Sequence, residues 1–254
     1  MPLPSPARVI YQRNPLLEVI TQLRFPTILK IANQDPVEFQ DAIRQNYPIL
    51  EVSSLDEEEE SPSDGHHPDP IYHFKSEDFQ WEVLLNRDFL TLITNHYDRY
   101  EAFKERFSAV MKVFETIYKP AFYDRVGLRY KDLIIRSSLG LEDEAWSNLI
   151  PAYVAPELHS VEIADEIISS VKILAMNLGM GQVIFRHGLV EARKEEQGLI
   201  EPAYLLDADF FNEQRTAIGN HVWIHLDDYN QSARKLFRWS ITEKLHQAME
   251  PQPV

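Results

Sequence analysis

The sequence predicts an α+β fold in which one or more mostly antiparallel sheets are covered by long amphipathic helices. Several short segments alternate apolar and polar residues, which is the period of a half-buried strand. Two longer segments place apolar residues three and four positions apart, which is the period of an amphipathic helix. In the first half these segments follow in the order strand, helix, strands, helix, strand. That order is typical of an α+β sandwich.

The first elements follow a proline-rich lead-in. Residues 1–15 hold four prolines and indicate an extended segment, and the alternation over residues 17–25 then predicts a strand. Asp35 is suited to cap a helix that has Pro36 at its first position and ends before Pro48. The pattern therefore predicts one strand and one short amphipathic helix.

A meander of strands and the clearest helix of the chain come next. Alternation over residues 71–94, interrupted by a turn at residues 86–88, predicts the meander. A helix is predicted between residue 100 and Lys119, because apolar residues recur there at steps of three and four. Those residues are Tyr100, Phe103, Phe107, Val110, Phe114 and Ile117. A strand over residues 122–136 follows directly.

The second half mixes a short helix, several strands and a final helix. The short helix is predicted around residues 142–149, and a charged turn is predicted over residues 193–198. Asp227 or Asp228 is predicted to cap the final helix. The strands are predicted over residues 167–178, 182–192, 204–211 and 222–226. The predicted buried stripe of the final helix is Ala233, Leu236 or Phe237, Ile241, Leu245 and Ala248.

By sequence, the chain divides into an N-terminal α+β half, residues 1–138, and a C-terminal α+β half, residues 139–254, which are expected to form one compact unit. Each half finishes its strands with a long helix that carries aromatic residues. Two similar β-rich halves are what a duplication would leave, yet similar helix stripes arise wherever a helix covers a sheet. Both explanations stay open.

The charge of the chain is strongly acidic. Forty acidic residues against 25 basic ones give a formal net charge of −15. That balance argues against a non-specific nucleic-acid or membrane binder, since both need a basic surface. Part of the excess is local: residues 51–70 combine a run of carboxylates with prolines and a glycine and have no apolar periodicity. This stretch is predicted to be a long, mobile surface loop, called the acidic loop below.

Composition removes several further classes of function. The chain has no cysteine, which excludes disulfides, thiolate zinc sites and a cysteine nucleophile. No apolar run approaches the roughly 20 residues that span a bilayer, and no secretory signal precedes the first strand, so a cytoplasmic location without a membrane is expected. The close pair Gly179 and Gly181 lacks the further residues of a phosphate-binding loop. No cofactor and no metal site are predicted.

A basic row lies on one face of the strand predicted over residues 122–136. Strict alternation puts apolar side chains on the other face, at Val126, Leu128 and Tyr130. In an acidic chain, such a row faces either carboxylates of the same protein or an anionic partner. The cations of the row are Arg125, Arg129 and Lys131.

Two interpretations of the basic row stay open. Cross-strand ion pairs are the expected default, with Asp78, Glu82 and Asp88 as available carboxylates. If the row is instead a binding surface, Arg129 is its expected centre, because Gly127 beside it has no side chain and leaves room for a ligand.

Two carboxylates and a group of histidines are the other candidates. Asp207 and Asp209 lie two residues apart on a predicted strand, hence on one face and close enough to share a divalent ion or act as an acid/base pair. Paired carboxylates on an exposed sheet face are the competing explanation. Histidines and an aspartate in and beside the acidic loop form a metal-like cluster, for which a solvated loop is the expected explanation because ordering such a segment costs entropy. These are His66, His67, Asp69 and His73.

Short motifs spread along nearly the whole chain carry a resemblance. They are Asn14-Pro15-Leu16, Glu18-Val19, Phe25, Phe39, Ile43, Tyr47-Pro48, the run from Arg125 to Tyr130, Leu226-Asp227, Phe237 and Ile241-Thr242. In this order they resemble a family of prokaryotic proteins of about 250 residues that is scattered patchily across genomes and has no assigned activity. The relatives tend to continue Arg-Tyr with an apolar residue and Asn, where this chain has Lys131 and Asp132. The resemblance implies a shared fold. The patchy distribution of the family is associated with defence or toxin-neutralising modules.

Taken together, the sequence favours a cytoplasmic interaction or regulatory subunit whose acidic face or basic row contacts another protein. The acidic loop is its expected regulatory element. Two alternatives stay open: an enzyme or small-ligand binder with a pocket between sheet and helices where Arg129, Asp207 and Asp209 converge, and an acidic mimic of nucleic acid. No motif ties a reaction to a set of residues, so catalysis is not predicted. The oligomeric state stays open, a homo-oligomer included.

Overall fold

The computed structural model of the chain describes residue 3 and residues 5–54, 69–193 and 200–254. The strands in these residues are β1 (Val9–Tyr11), β2 (Leu16–Arg24), β3 (Ile49–Ser54), β4 (Pro70–Lys75), β5 (Trp81–Leu85), β6 (Phe89–Thr94), β7 (Arg125–Ile135), β8 (Ser170–Leu178), β9 (Gly181–Arg193), β10 (Ile200–Asn212) and β11 (Pro251–Pro253). The α-helices are α1 (Leu29–Asn33), α2 (Val37–Ile43), α3 (Tyr100–Tyr118), α4 (Arg136–Leu139), α5 (Trp146–Leu149), α6 (His221–Ser240) and α7 (Glu243–Ala248). Short 3-10 helices span Pro156–His159 and Ala164–Glu166.

The sheet is mostly antiparallel. Its described strands are hydrogen-bonded neighbours in the order β3-β4-β5-β6-β2-β7-β10-β9-β8, and β1 pairs separately with β11. Pairs such as β2 with β6 and β8 with β9 run in opposite directions. The predicted α+β class with a mostly antiparallel sheet is confirmed. Strands β3 and β8 stand at the two ends of the order, so each has one neighbour in the described sheet.

Two compact units can be separated by their internal contacts, and each is assembled from distant segments. The first unit comprises Glu18–Leu128 and Phe211–Asp227, and the second comprises Met1–Leu17, Arg129–Phe210 and Asp228–Val254. The predicted division at residue 138 follows the order of elements along the chain, whereas these units are grouped by proximity in space.

Helix α3 provides much of the core of the first unit. It is the helix predicted between residue 100 and Lys119, and its predicted stripe is buried from Tyr100 to Phe114. Phe114 packs on Phe25, with ring centroids 4.7 Å apart. Lys119 ends the helix in a left-handed conformation, with φ of 48°, and its N–H donates to the carbonyl of Glu115.

Helix α6 corrects the prediction of a strand over residues 222–226. Alternation there depended on Val222, Ile224 and Leu226, but Ile224 is exposed while the other two are fully buried. The buried positions continue through Tyr229 and Ala233 at steps of four and three, which is the helical period. Five residues were too few for the sequence to separate the two periods.

The boundaries of the C-terminal helices are also corrected. Asp227 and Asp228, predicted as caps, lie inside α6, and Asp227 accepts hydrogen bonds from Tyr100 and Lys104. The predicted single helix is broken after Ser240 and begins again as α7. The cap of α7 is Thr242, whose hydroxyl accepts from the backbone N–H of Leu245.

The loop prediction for residues 51–70 is corrected at both ends. Residues 51–54 belong to β3, and Pro70 already begins β4. The two strands pair antiparallel from Ile49 opposite Lys75 onward, so cross-strand pairing overrides the polar character of this stretch. Residues 55–68, which hold most of the predicted loop, lie outside the described residues, as do residues 194–198 of the charged turn predicted over residues 193–198.

Several short elements differ from the prediction in smaller ways. Helix α2 begins at Val37 after Pro36, and the carboxylate of Asp35 accepts from the Tyr72 hydroxyl instead of capping the helix. The short helix predicted around residues 142–149 is reduced to α5. Among the described elements, strands β1, β3 and β11, helices α1 and α4 and both 3-10 helices were not predicted.

In the second unit, β8 lies unusually close to β9 at one point. Gly188 of β9 lies opposite Val171 of β8 and has a φ of 154°. A Cβ atom at this glycine would lie 1.7 Å from the carbonyl oxygen of Ser170. Because only glycine has no Cβ, this residue lets the start of β8 lie directly against β9.

Across the described residues, helices are either too short or too polar to cross a bilayer.

Candidate functional site

Two predicted candidates, Arg129 and Asp207, bind each other. Arg129 of β7 and Asp207 of the neighbouring β10 form a bidentate pair, in which Nε donates to Oδ1 and Nη2 to Oδ2, each at 2.6 Å. Asp207 is only 3% exposed. A guanidinium nitrogen of Arg186 on β9 lies 3.9 Å from Oδ2. The carboxylate is therefore buried but compensated by two cations.

This pair limits the chemistry of Asp207. Both of its oxygens are bonded to Arg129, so the predicted sharing of a divalent ion with Asp209 does not correspond to this geometry. Asp209 lies two residues further along β10 and is half-buried. Among the described residues there is no group of three or more His, Asp or Glu side chains that could hold a metal ion.

Arg125, at the start of β7, occupies the space that Gly127 leaves. A Cβ atom on Gly127 would lie 2.3 Å from the Nη1 atom of Arg125, so the guanidinium covers the glycine. The same guanidinium lies 4.9 Å from the ring centroid of Phe211, and Nη1 donates to the side-chain oxygen of Gln22. The expectation that Gly127 leaves room for a ligand is therefore wrong, because an arginine of the same strand fills that room.

Two of the carboxylates expected to neutralise the basic row, Asp78 and Glu82, have other partners. Asp78 accepts from the hydroxyl of Ser76, and Glu82 lies 2.7 Å from the Nδ1 atom of His73. Lys131, the third cation of the row, is half-buried on β7. The row thus contains arginines held by internal contacts, which include Asp207 for Arg129 and Gln22 for Arg125.

Asp132 is a buried residue that the site prediction missed. It is 8% exposed and makes no hydrogen bond or ion pair with any part of the chain that the structure describes. Burial, together with the negative charge of Asp207, raises the pKa of Asp132 to about 8. Its side chain is therefore mostly protonated at neutral pH. The available signal was the alternation of β7, which puts this residue on the same face as Tyr130 and Ile134.

His73 is engaged through both ring nitrogens. Nε2 lies 2.8 Å from the hydroxyl of Ser53, and Nδ1 lies 2.7 Å from Glu82. Asp69, another member of the predicted metal-like cluster, forms an ion pair with Arg87 at 2.6 Å. His66 and His67 lie outside the described residues. The two described members of the cluster are held by separate contacts.

His187 is a core residue of the second unit. Its ring stacks on Phe185, and Nδ1 lies 2.9 Å from the hydroxyl of Tyr204. Burial lowers the pKa of His187 to about 4, with a smaller effect from the charge of Lys172. The imidazole is neutral at physiological pH, and its contacts explain it as part of the packing.

The outer edge of β8 is the feature that sequence reasoning overlooked. This nine-residue strand ends the described sheet and has β9 as its only neighbour there. Val171 and Ile173 lie on one face of it and are 51% and 64% exposed. Leu174, on the opposite face, is also exposed. The signal was present as the apolar segment 167–178, but exposure depends on which strand ends the sheet, and that is a long-range property.

In the part of the chain that the structure describes, β8 carries little of the usual protection against pairing. Natural edge strands carry charges, prolines or bulges that prevent another chain from adding to them. Strand β8 has no proline, and its single charged residue, Lys172, is engaged by Glu157. The backbone groups and apolar side chains of β8 are thus arranged to accept a further strand.

Further exposed residues directly precede β8 in sequence. Val161, Ile163 and Ile168 are exposed apolar residues. Three exposed carboxylates, Glu162, Asp165 and Glu166, are interspersed with them. We call residues 161–178 the β8 edge surface; it combines apolar side chains with negative charge.

Neither protein-family models nor curated proteins give a match to this chain.

Proposed function

We propose that the protein is an interaction subunit that binds an extended segment of another protein along the outer edge of β8. The observation that carries the proposal is the exposed edge strand with Val171 and Ile173 on one face. Addition of a strand to such an edge gives affinity through main-chain hydrogen bonds and specificity through alternate side chains.

The charge of the β8 edge surface defines the chemistry of the partner. Its apolar side chains favour a segment that alternates apolar residues. Its carboxylates, at Glu162, Asp165 and Glu166, favour lysine or arginine in the flanks of that segment. A second copy of the chain would bring the same carboxylates and another net charge of −15, so like-charge repulsion disfavours it as occupant.

The proposal retains the other expectations for a regulatory subunit. It takes the protein as cytoplasmic, acting without a cofactor, with long amphipathic helices covering the sheet. Neither Arg129 nor Asp207 is given a reacting role, because each neutralises the other.

The test is affinity capture from the source cells with matched variants. Ile173→Lys puts a charge on the edge, as natural protected edges do, and is expected to abolish capture of a specific partner. Ile224→Lys is the control, because Ile224 is 54% exposed on helix α6, away from the β8 edge surface in sequence. The Ile224→Lys variant should still capture the partner. Capture by the wild type should weaken at high salt, since exposed charges are screened.

Three results would contradict the proposal. One is a partner retained equally by Ile173→Lys, and another is a partner lost equally by both variants although both fold. The third is sedimentation of the wild type as a dimer that Ile173→Lys dissociates, which would make a second copy the occupant of the edge.

A further inference from the structure

A groove with a volume of about 450 Å³ lies in the second unit, at the end of helix α6. It is lined by the N-terminal segment, by residues of α6 and α7, and by Tyr153. Its size falls within the roughly 300–1,000 Å³ range of small-molecule sites. Aromatic and cationic side chains line this groove.

An aromatic platform forms one part of this groove. The rings of Tyr153 and Trp239 have centroids 5.0 Å apart and are inclined by 37°. The hydroxyl of Tyr153 donates to the backbone carbonyl of Trp239, which fixes the ring although Tyr153 is 63% exposed. A ring that is exposed and already ordered loses little entropy when another aromatic ring stacks on it.

Nitrogen donors form the other part. Lys235, Arg238 and His246 line the same groove. Lys235 makes no hydrogen bond or ion pair with the residues that the structure describes. No carboxylate is among the groove-lining residues, although the chain is acidic overall.

The neighbours of these donors hold them in place. Arg238 donates to the carbonyl of Ile241 and forms an ion pair with Glu243. The Nδ1 atom of His246 lies 2.8 Å from the hydroxyl of Tyr11. Burial raises the pKa of Tyr11 to about 12, so the phenol keeps the proton that it can donate to the imidazole. Two of the three donors are therefore ordered before a ligand arrives.

We infer that this groove binds a nucleoside monophosphate, with the base stacked on Tyr153 and Trp239 and the phosphate bound by Lys235. A flat ring suits the aromatic platform, since stacking accepts any base. A phosphate suits Lys235, whose ammonium group forms strong charge-assisted hydrogen bonds with phosphate oxygens. The site is separate from the β8 edge surface and does not depend on the proposed partner.

Calorimetric titration of the intact protein with AMP, GMP, CMP and UMP tests the inference, with adenosine and inorganic phosphate as the separated halves of AMP. At least one monophosphate should bind more tightly than its parts. Lys235→Ala should weaken that binding by roughly 10-fold or more, the usual effect of losing a charged hydrogen bond. Lys112→Ala, at an exposed lysine of α3, is the matched control and should bind as the wild type does.

A second variant separates stacking from charge. Tyr153→Ala removes an exposed ring and should weaken the monophosphate while leaving thermal unfolding close to that of the wild type. The inference is overturned if no monophosphate binds, if adenosine binds as tightly as AMP, or if Lys235→Ala and Lys112→Ala behave alike.

Discussion

Burial gives the side chain of Asp132 a pKa that its residue type does not suggest. Its carboxyl group has no partner in the described structure, and its pKa is raised to about 8. The alternation of β7 was visible in the sequence and placed Asp132 on the apolar face. What the sequence did not contain was the burial of that face and the distance to Asp207, since both depend on strands far apart in the chain.

Replacing this residue should change how stability depends on pH. Relative to its ionised form, a carboxyl group whose pKa is raised on folding makes its full contribution to stability at pH values below its ordinary pKa. This contribution is lost as the pH rises through the pKa of the folded state. Asp132→Asn removes the group that ionises. The variant should gain free energy of unfolding relative to the wild type as pH rises from 5 to 8, by about 1.4 kcal/mol per pH unit.

Urea unfolding at pH 5, 6, 7 and 8 measures this difference. Asp143→Asn, at an exposed aspartate, serves as the control and should keep the pH dependence of the wild type. If the difference between Asp132→Asn and the wild type is the same at all four pH values, Asp132 does not ionise late in the folded protein and its burial is misassigned.

The ion pair of Arg129 and Asp207 shows what local sequence patterns reveal about a contact between distant residues. Each was named as a candidate from its own strand, by alternation alone. Their pairing requires β7 and β10 to be neighbours, and 78 residues separate the two side chains in sequence. The alternative with a pocket had Arg129 and Asp207 converging, and the two side chains do meet, but as an ion pair in which each neutralises the other.

Among the elements, long periodic segments were predicted better than short ones. Helix α3 has six apolar positions at helical spacing, and its bounds agree with the prediction within one residue. The first turns of α6 offered only Val222, Ile224 and Leu226, which fit a strand equally well. Strand β3 was missed because its polar residues are explained by pairing with β4, which local periodicity cannot reveal.

The position of β8 against β9 depends on Gly188. A Cβ atom there would overlap the carbonyl oxygen of Ser170, and its φ of 154° is one that glycine adopts readily. Gly188→Ala should therefore displace the start of β8 and lower the free energy of unfolding by more than the roughly 1 kcal/mol typical of point mutants. Partner capture should weaken as well.

Thermal unfolding and capture of the same preparation check this expectation. Gly179→Ala is the control, because a Cβ atom at Gly179 meets no heavy atom within 4 Å. Equal stability of the two variants would contradict the requirement for close approach at Gly188.

For the molecule as a whole, local periodicity indicated the correct class but not the grouping of the segments. The α+β class and the mostly antiparallel sheet followed from local periods. The two compact units did not, because each joins segments that are distant in sequence, such as Glu18–Leu128 with Phe211–Asp227. The net charge of −15 is a property of the whole molecule, and it favours a basic partner over a second copy.

The central claim is that another protein segment adds to the outer edge of β8. The most direct measurement is amide hydrogen exchange across the chain, with and without the partner that the wild type captures and Ile173→Lys loses. Strand addition predicts slower exchange at alternate residues of Ser170–Leu178, because every second N–H on an edge points outward and would become hydrogen-bonded. Unchanged exchange in β8, with protection confined to another surface, would contradict the account.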